Sequence, residues 1–313
     1  MSQKLTGSRV RSIFGLICLL VLISVSCSPE KLGLIKNDNV KHDLISSEEF
    51  TDDVSQFQIV IAVTDIAIGE NRFAFAIIGK TGPLILKEVH ISLSPITGTA
   101  DGYNFDSTAL FQAWPLGNSG VYVGKVNFGI PGEWIIQVED ISPNPEFLGS
   151  AKFFVNKVSS TPAVGVKPKP LDNLTNADVK DINQITSALN PDPDLYKISV
   201  SEAMNSGIPT IITFASPSFC RTSTCGPQVE IISSLNRQFG DRLNIIHIEV
   251  YERSEIDDDG NYELKISSLL ETWGLNSEPF TFMLDKKGTI AAKFEGFVTE
   301  SELTEHIREL LDI

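Results

Sequence analysis

The chain has 313 residues, of which 42% are hydrophobic, and its formal net charge is −15. This length and apolar content suit two globular domains and exclude a disordered polymer. The acidic excess argues against binding to nucleic acid or to anionic lipid headgroups, because phosphate groups would repel the chain.

Residues 1–27 have the layout of an export signal. Three basic residues, Lys4, Arg9 and Arg11, come first, and none of the 27 residues is acidic. An apolar and small-residue run follows from Ile13 to Ser26, shorter than the stretch of about 20 apolar residues that a membrane-spanning helix needs. The sequence therefore predicts export from the cytoplasm.

The end of this segment, Ile23-Ser24-Val25-Ser26-Cys27, resembles the lipobox of bacterial lipoproteins, in which small residues precede a lipidated cysteine. The resemblance implies that Cys27 becomes the first residue of the mature chain and carries acyl chains such as palmitate, which anchor it to the outer face of the cell membrane. Ser24 stands where the lipobox usually has Leu, so a plain cleaved signal peptide and an uncleaved anchor remain alternatives. Residues 28–55 are polar and charged, and we expect them to form a tether.

Cysteine usage fits an exported protein. Cys18 lies inside the signal and Cys27 is assigned to the lipid, which leaves Cys220 and Cys225 in the folded chain. One close pair indicates a disulfide or a dithiol rather than a metal cluster that needs four ligands. We therefore predict no metal and no cofactor.

Residues 56–158 consist of short β-rich runs separated by turn residues, with no helical period between them. This pattern predicts an antiparallel β-sandwich of the Ig-like kind. The predicted strands are Phe57–Val63, Arg72–Ile78, Val89–Leu93, Gly120–Phe128, Trp134–Val138 and Lys152–Val155.

The run from Gly120 through Pro131 and Gly132 to Trp134 resembles a hairpin of small extracytoplasmic sandwiches of the YtkA-like group. In that group a Pro-Gly turn leads into a strand headed by a core tryptophan. Some relatives of that architecture bind copper through clusters of histidine and methionine. Residues 56–158 contain one histidine, His90, and no methionine, so we expect no metal site in them.

Residues 159–194 contain five prolines among Lys, Asn and Asp, and we predict an interdomain linker that the prolines stiffen in places. A short helix is compatible with residues 176–189.

Residues 195–313 alternate between helical and strand patterns. This alternation predicts an α/β domain with a mixed sheet and helices on both faces. The predicted helices are Val200–Asn205, Gln228–Phe239, Ile266–Trp273 and Glu302–Leu311, and the predicted strands are Pro209–Phe214, Leu243–Val250, Thr281–Leu284 and Ile290–Phe294.

Three stretches of this second half, Ile208–Cys220, Cys225–Pro227 and Glu278–Gly288, resemble a thioredoxin-like domain. The resemblance implies that Cys220 and Cys225 form a redox-active pair and that Pro279 faces them in a cis peptide. It also implies that Pro279, Glu278 and Phe219 lie where a peptide substrate docks.

The helix that begins near Gln228 supports this placement independently. It carries Val229, Ile232 and Leu235 on one face, so it should pack on the sheet. Cys225 then lies beside the helix N-terminus, where free amides and the positive end of the dipole favour a thiolate.

The chain also departs from the family pattern. Four residues separate its two cysteines, where thioredoxins have two, and Thr213 stands where thioredoxins keep a buried Asp. Two alignments remain open. Phe219-Cys220 replaces the Trp-Cys of the family in one, and Cys225-Gly-Pro-Gln228 overlays its Cys-Gly-Pro-Cys in the other.

The sequence thus predicts a membrane-anchored extracytoplasmic thiol-disulfide oxidoreductase whose partners are protein thiols or disulfides. One alternative is a non-enzymatic binding lipoprotein with a structural disulfide on a thioredoxin scaffold. The other is a copper-handling protein that uses both cysteines and a distal histidine, for which His247 and His306 are the candidates.

Overall fold

The structure is a computed structural model that describes residues 56–96, 102–115, 117–253 and 263–313. The predicted export signal, the predicted lipidation residue Cys27 and the tether lie outside these residues. Within them, no helix is both long and apolar enough to cross a bilayer.

The first half consists of eight strands that pair antiparallel in the order β1-β2-β6-β5-β4-β7-β8, with the short β3 added to β2. The strands are β1 Phe57–Ile61, β2 Gly69–Gly79, β3 Gly82–Pro83, β4 Glu88–Pro95, β5 Phe105–Ala113, β6 Gly120–Phe128, β7 Gly132–Asp140 and β8 Phe147–Val155.

These strands form one nearly closed sheet. Residues 66–68, which connect β1 to β2, exchange backbone hydrogen bonds with Asn156 just after β8, so the two ends of the sheet meet. The antiparallel all-β prediction is confirmed, and the six predicted strands lie within β1, β2, β4, β6, β7 and β8 or extend them by one or two residues. The finer prediction, an Ig-like sandwich, is not confirmed.

Strict alternation along the strands builds the core of this sheet. In β4, Val89, Ile91 and Leu93 point inward while His90 and Ser92 point outward. The interior is aromatic, and the predicted core residue Trp134 packs edge-on against Phe128 with ring centroids 5.0 Å apart.

The second half contains a mixed sheet of four strands in the order β10-β9-β13-β14, in which β10 and β9 are parallel and the other pairs antiparallel. Helices α1 to α4 surround it, and β11 and β12 form a separate two-stranded ribbon that the sequence did not reveal. The elements are α1 Val200–Ala203, β9 Thr210–Ala215, α2 Cys225–Phe239, β10 Asn244–Glu249, β11 Tyr251–Arg253, β12 Leu264–Ile266, α3 Ser268–Trp273, β13 Phe280–Leu284, β14 Ile290–Glu295 and α4 Glu300–Leu311.

Strand β9 divides the apolar interior of this half into two layers. Ile211 and Ala215 face the cluster formed with α2 and α4, whereas Ile212 and Phe214 face the cluster formed with α1 and α3. The central strand therefore lies between helices on both faces, as predicted, and its C-terminal end leads directly into the cysteine loop. This order of elements agrees with a thioredoxin-like fold.

Much of the segment predicted as a linker packs against the second half. Leu171 and Ile185 are buried in its two apolar clusters. The backbone of Gly165 and Val166 exchanges hydrogen bonds with Ile290 of β14. The helix considered for residues 176–189 is reduced to one 3₁₀ turn, Ile182–Gln184, and a second 3₁₀ turn spans Pro193–Tyr196.

Partly buried charged groups and the buried Asp65 join the two sheets. Arg72 of β2 forms a two-pronged ion pair with Glu302 of α4, with N···O distances of 2.7 and 3.0 Å. Lys293 of β14 lies 2.7 Å from Asp65, which also accepts hydrogen bonds from Ser159 and Thr161. Burial alone would raise the pKa of Asp65, but the hydrogen bonds from Lys293, Ser159 and Thr161 outweigh burial and hold the pKa well below its usual range.

Candidate functional site

Cys220 and Cys225 are joined by a disulfide at the point where β9 leads into α2. Their Cα atoms lie 5.9 Å apart, which is an ordinary separation for a disulfide. The loop between β9 and α2 folds back at a turn. In this turn the backbone amides of Phe219 and Cys220 both donate hydrogen bonds to the carbonyl of Ser216. The structure therefore brings together the two cysteines that the sequence singled out.

The two sulfur-bearing residues differ in exposure. Cys225 is completely buried, with 0% of its surface exposed, whereas Cys220 is only partly buried. An incoming thiolate or disulfide therefore reaches Cys220 first, and Cys225 lies behind it.

Helix α2 begins at Cys225 itself, and the side chain of the preceding residue, Thr224, makes no capping hydrogen bond. The positive end of the helix dipole thus acts directly on the Cys225 sulfur. Such a helix end stabilises a nearby negative charge by about 0.3–1 kcal/mol, and by about 2 kcal/mol at most.

Glu278 lies on the buried side of the disulfide. Its Oε2 is 3.5 Å from the Cys225 sulfur, and Ser216 donates a hydrogen bond of 2.5 Å to the same oxygen. Burial raises the pKa of Glu278, although the hydrogen bonds from Ser216 partly oppose this. The peptide bond between Glu278 and the buried Pro279 is cis, as the resemblance implied.

The magnitudes indicate how a reduced Cys225 would behave. Two unit charges about 4 Å apart near a protein surface interact by about 4 kcal/mol, more than the helix end supplies. An ionised Glu278 should therefore keep the Cys225 thiol protonated despite the helix dipole. A neutral Glu278 would leave the helix dipole as the stronger influence.

A second carboxyl, Glu249 at the end of β10, was not found from the sequence. Its Oε2 accepts a 2.6 Å hydrogen bond from the backbone amide of Ser187. Burial raises the pKa of Glu249 to about 7, and the charge of Glu278 acts in the same direction. Nothing in the local sequence distinguishes this residue, because its environment comes from distant segments.

The segment Ile185–Ala188, here called the Ser187 strap, holds the cysteine loop from one side. Ser218 donates its backbone amide to Ser187 Oγ over 3.1 Å and its hydroxyl to the Ser187 carbonyl over 2.5 Å. Because Ser187 also donates to Glu249, the strap ties the loop before Cys220 to the end of β10.

An apolar surface lies beside the more accessible cysteine. The Phe219 ring packs edge-on against Tyr251 of β11, with ring centroids 6.0 Å apart. Tyr251 pairs with Ile266 of β12, whose side chain is largely exposed. The predicted docking residue Phe219 is thus part of a small apolar surface next to Cys220.

Thr213, and Gln228 in the second alignment, depart from the thioredoxin pattern, and both residues are buried. Thr213 forms a 3.0 Å hydroxyl contact with Thr281 of the neighbouring strand, so this pair carries no charge. Gln228 stands at the place of the family's second cysteine in that alignment and accepts a hydrogen bond from the backbone amide of Val298. The disulfide partner of Cys225 is instead Cys220.

The histidines considered for copper are engaged elsewhere. His247 is buried, donates Nε2–H to the Ala215 carbonyl and accepts at Nδ1 from the Tyr196 hydroxyl. Burial lowers the pKa of His247 to about 4, so the ring is neutral. His306 packs against Phe294 and lies 3.4 Å from Glu309.

Among the described residues, one group has donor atoms close enough together to hold a metal ion: Cys220, Cys225 and Glu278. No histidine belongs to this group. The copper alternative therefore lacks the distal histidine that it requires within the described part of the chain.

No protein-family model matches the chain, and no curated protein matches it. One similar solved structure is the exposed lipoprotein thioredoxin Etrx1 of Streptococcus pneumoniae, at 22% identity over 34% of this chain and 87% of that one, with a TM-score of 0.28. Another is a thioredoxin-family thiol:disulfide interchange protein of Chlorobium tepidum, at 12% identity over 48% of this chain and 98% of that one, with a TM-score of 0.32.

A third is the Pseudomonas fluorescens alkylpurine DNA glycosylase AlkC bound to DNA, at 19% identity over 33% of this chain and 31% of that one, with a TM-score of 0.20. All three likenesses cover only part of the chain, and the assignment of function rests on the chain's own side chains.

Proposed function

We propose that this protein is an extracytoplasmic thiol-disulfide oxidoreductase, anchored to the membrane through Cys27, that exchanges electrons with protein thiols or disulfides. The observation that carries the proposal is the asymmetry of the Cys220–Cys225 disulfide, with one sulfur accessible and the other buried at a helix start. This arrangement suits an attacking thiol and a resolving thiol.

In the reducing direction, the Cys220 thiolate attacks a substrate disulfide and releases the first substrate thiolate. Cys225 then attacks Cys220 in the resulting mixed disulfide, which forms the internal disulfide and releases the second substrate thiolate. The substrate gains two electrons and two protons, and the two cysteines lose them. Oxidation of a substrate dithiol follows the same steps in reverse.

The surroundings of the site support substrate docking at its open side. Phe219, Tyr251 and Ile266 offer apolar contact next to Cys220. We assign the nearly closed sheet to a spacer or partner-docking role, and the tether of residues 28–55 to the connection with the anchor.

Mixed-disulfide trapping tests the proposal directly. The Cys225→Ala variant should accumulate covalent adducts with protein partners through Cys220, whereas the Cys220→Ala/Cys225→Ala double variant should not. The adducts should fractionate with membranes, and an added Cys27→Ser change should move them to the soluble fraction. Absence of adducts in both the Cys225→Ala variant and a Cys220→Ala variant would count against the proposal.

The complete burial of Cys225 favours a second candidate, a binding lipoprotein whose disulfide is structural. The two candidates differ in reduction potential. An exchange-active pair should lie between about −120 and −270 mV, whereas a structural disulfide should lie below about −300 mV. Equilibration of the full chain with glutathione buffers, followed by thiol labelling, separates them.

A further inference from the structure

A buried thiol needs a partner for its proton. Cys225 has no exposed surface in the disulfide, so solvent water does not contact its sulfur there. The carboxyl of Glu278 lies within reach, with Oε2 3.5 Å from the sulfur. Glu278 directly precedes Pro279 and strand β13, so this contact joins β13 to the start of α2.

The carboxyl is held in place by its own contacts. Ser216, which is fully buried, donates to Oε2, and the neighbouring Pro279 is buried in the sheet. Glu278 itself is only partly buried, unlike Cys225, which has no exposed surface. This position suits a group that passes a proton between Cys225 and water.

We infer that Glu278 is a catalytic residue that accepts the proton of the Cys225 thiol when the mixed disulfide is resolved. The inference rests on the proposed oxidoreductase function. In this step the proton moves from sulfur to Glu278 Oε2, the thiolate of Cys225 attacks Cys220, and the new bond joins the two cysteine sulfurs. The bond from Cys220 to the substrate sulfur breaks, and the substrate leaves as a thiolate with the bonding electrons.

The titratable neighbours of Glu278 are Cys220 and Cys225 in the disulfide and Glu249 at the end of β10. Burial raises the pKa of Glu278 toward that of a thiol, which makes the carboxylate a better proton acceptor than an exposed one.

Substitution of Glu278 distinguishes proton transfer from a simple effect of the Glu278 charge, because the two explanations predict opposite changes in the rate at which the mixed disulfide is resolved. Glu278→Gln removes a negative charge next to Cys225, so a charge effect alone would lower the thiol pKa and speed resolution at neutral pH. Loss of a proton acceptor would instead slow resolution although the thiol pKa falls. We expect a slowing of at least about tenfold at pH 7.

The measurement uses the reduced chain with Cys18→Ser and Cys27→Ser changes, which leave Cys220 and Cys225 as its two thiols. The reagent is the dye disulfide 5,5′-dithiobis(2-nitrobenzoate), followed in stopped flow. The first dye thiolate is released when Cys220 attacks, and the second when Cys225 resolves the mixed disulfide. We expect Glu278→Gln to slow the second phase and leave the first nearly unchanged. The rates of the variant and the wild type should converge at alkaline pH, where Cys225 ionises unaided.

Two further variants control the experiment. Glu278→Asp keeps a carboxylate and should restore part of the second-phase rate. Glu230→Gln makes the same change on the exposed face of α2 and should change neither phase. A second phase in Glu278→Gln as fast as or faster than in the wild type would overturn the inference while leaving the proposed function intact. Absence of the first phase in the wild type would remove both.

Discussion

Near the cysteine loop, the partly buried Glu249 and the buried His247 have pKa values shifted in opposite directions. Glu249 has a pKa raised by burial from 4.5 to about 7, so the folded chain binds its proton more tightly than the unfolded chain does. The tighter proton binding of Glu249 in the folded chain stabilises the fold below pH 4.5, and this stabilisation is lost as the pH rises to 7. His247 has a pKa lowered by burial from 6.5 to about 4, so its contribution is present above pH 6.5 and is lost as the pH falls to 4.

Because both shifts act over nearly the same pH range, they should cancel in part in the wild-type chain. Glu249→Gln removes one of them. We expect the free energy of unfolding of this variant to rise by about 2–3 kcal/mol between pH 4.5 and 6.5, with a much flatter profile in the wild type. Urea unfolding of both proteins across this range tests the expectation, and parallel pH profiles would contradict it.

The residue scale also shows what sequence reasoning could reach. Cys220, Cys225 and Pro279 were identified because cysteine pairs and a proline at this place in the element order are distinctive. Glu278 was predicted as a docking residue beside Pro279, and its contact with the Cys225 sulfur could not be anticipated. Glu249 and Ser187 carry no local signal, since their roles depend on segments 62 residues apart.

At the scale of elements, regular alternation determined which strands were predictable. Strands β6 and β7 alternate buried and exposed positions, and both were predicted. Strand β5 has a single fully buried residue, Ala109, and was missed. Strand β12 is exposed at all three residues, so its apolar side chains gave no sign of an inward face.

The Ser187 strap and its flanks illustrate a third case. The sequence was compatible with a short helix over residues 176–189, and the prolines indicated an interdomain linker. Ile185 is nevertheless only 8% exposed and packs with α2 and α4 in one cluster, whereas Leu189, four residues on, is 92% exposed.

This contrast gives a matched pair of substitutions. Ile185→Ala should lower the free energy of unfolding by about 2–4 kcal/mol, because it leaves a cavity beneath the cysteine loop. Leu189→Ala should change it by less than about 0.5 kcal/mol. Chemical denaturation of the oxidised proteins measures both, and equal effects would show that the strap is not part of the folded core.

At the scale of the whole molecule, the two sheets are joined through ion pairs and their hydrogen bonds. Arg72 donates to Glu302 and also to the carbonyls of Glu295 and Phe297, so its guanidinium is well satisfied although it is nearly buried. Removing one partner of such a pair leaves the other charge without compensation.

We therefore expect Arg72→Met to lower the free energy of unfolding by about 3 kcal/mol. Lys197→Met is the control, because Lys197 and Asp194 form an ion pair in which both side chains are more than half exposed. That change should cost less than about 1 kcal/mol. Thermal and urea unfolding should rank the two variants in this order, and the reverse order would exclude a structural role for Arg72.

The segment around Leu171 and Ile185 packs against the second half of the chain. This packing determines where a fragment must begin if the second half is to be studied alone. A fragment that starts at Leu195 would leave uncovered the surfaces that these two side chains fill and would lose the backbone bonds to Ile290. A fragment that starts near Ser159 keeps them. For recombinant work on the cysteine loop, the boundary belongs before the prolines and not after them.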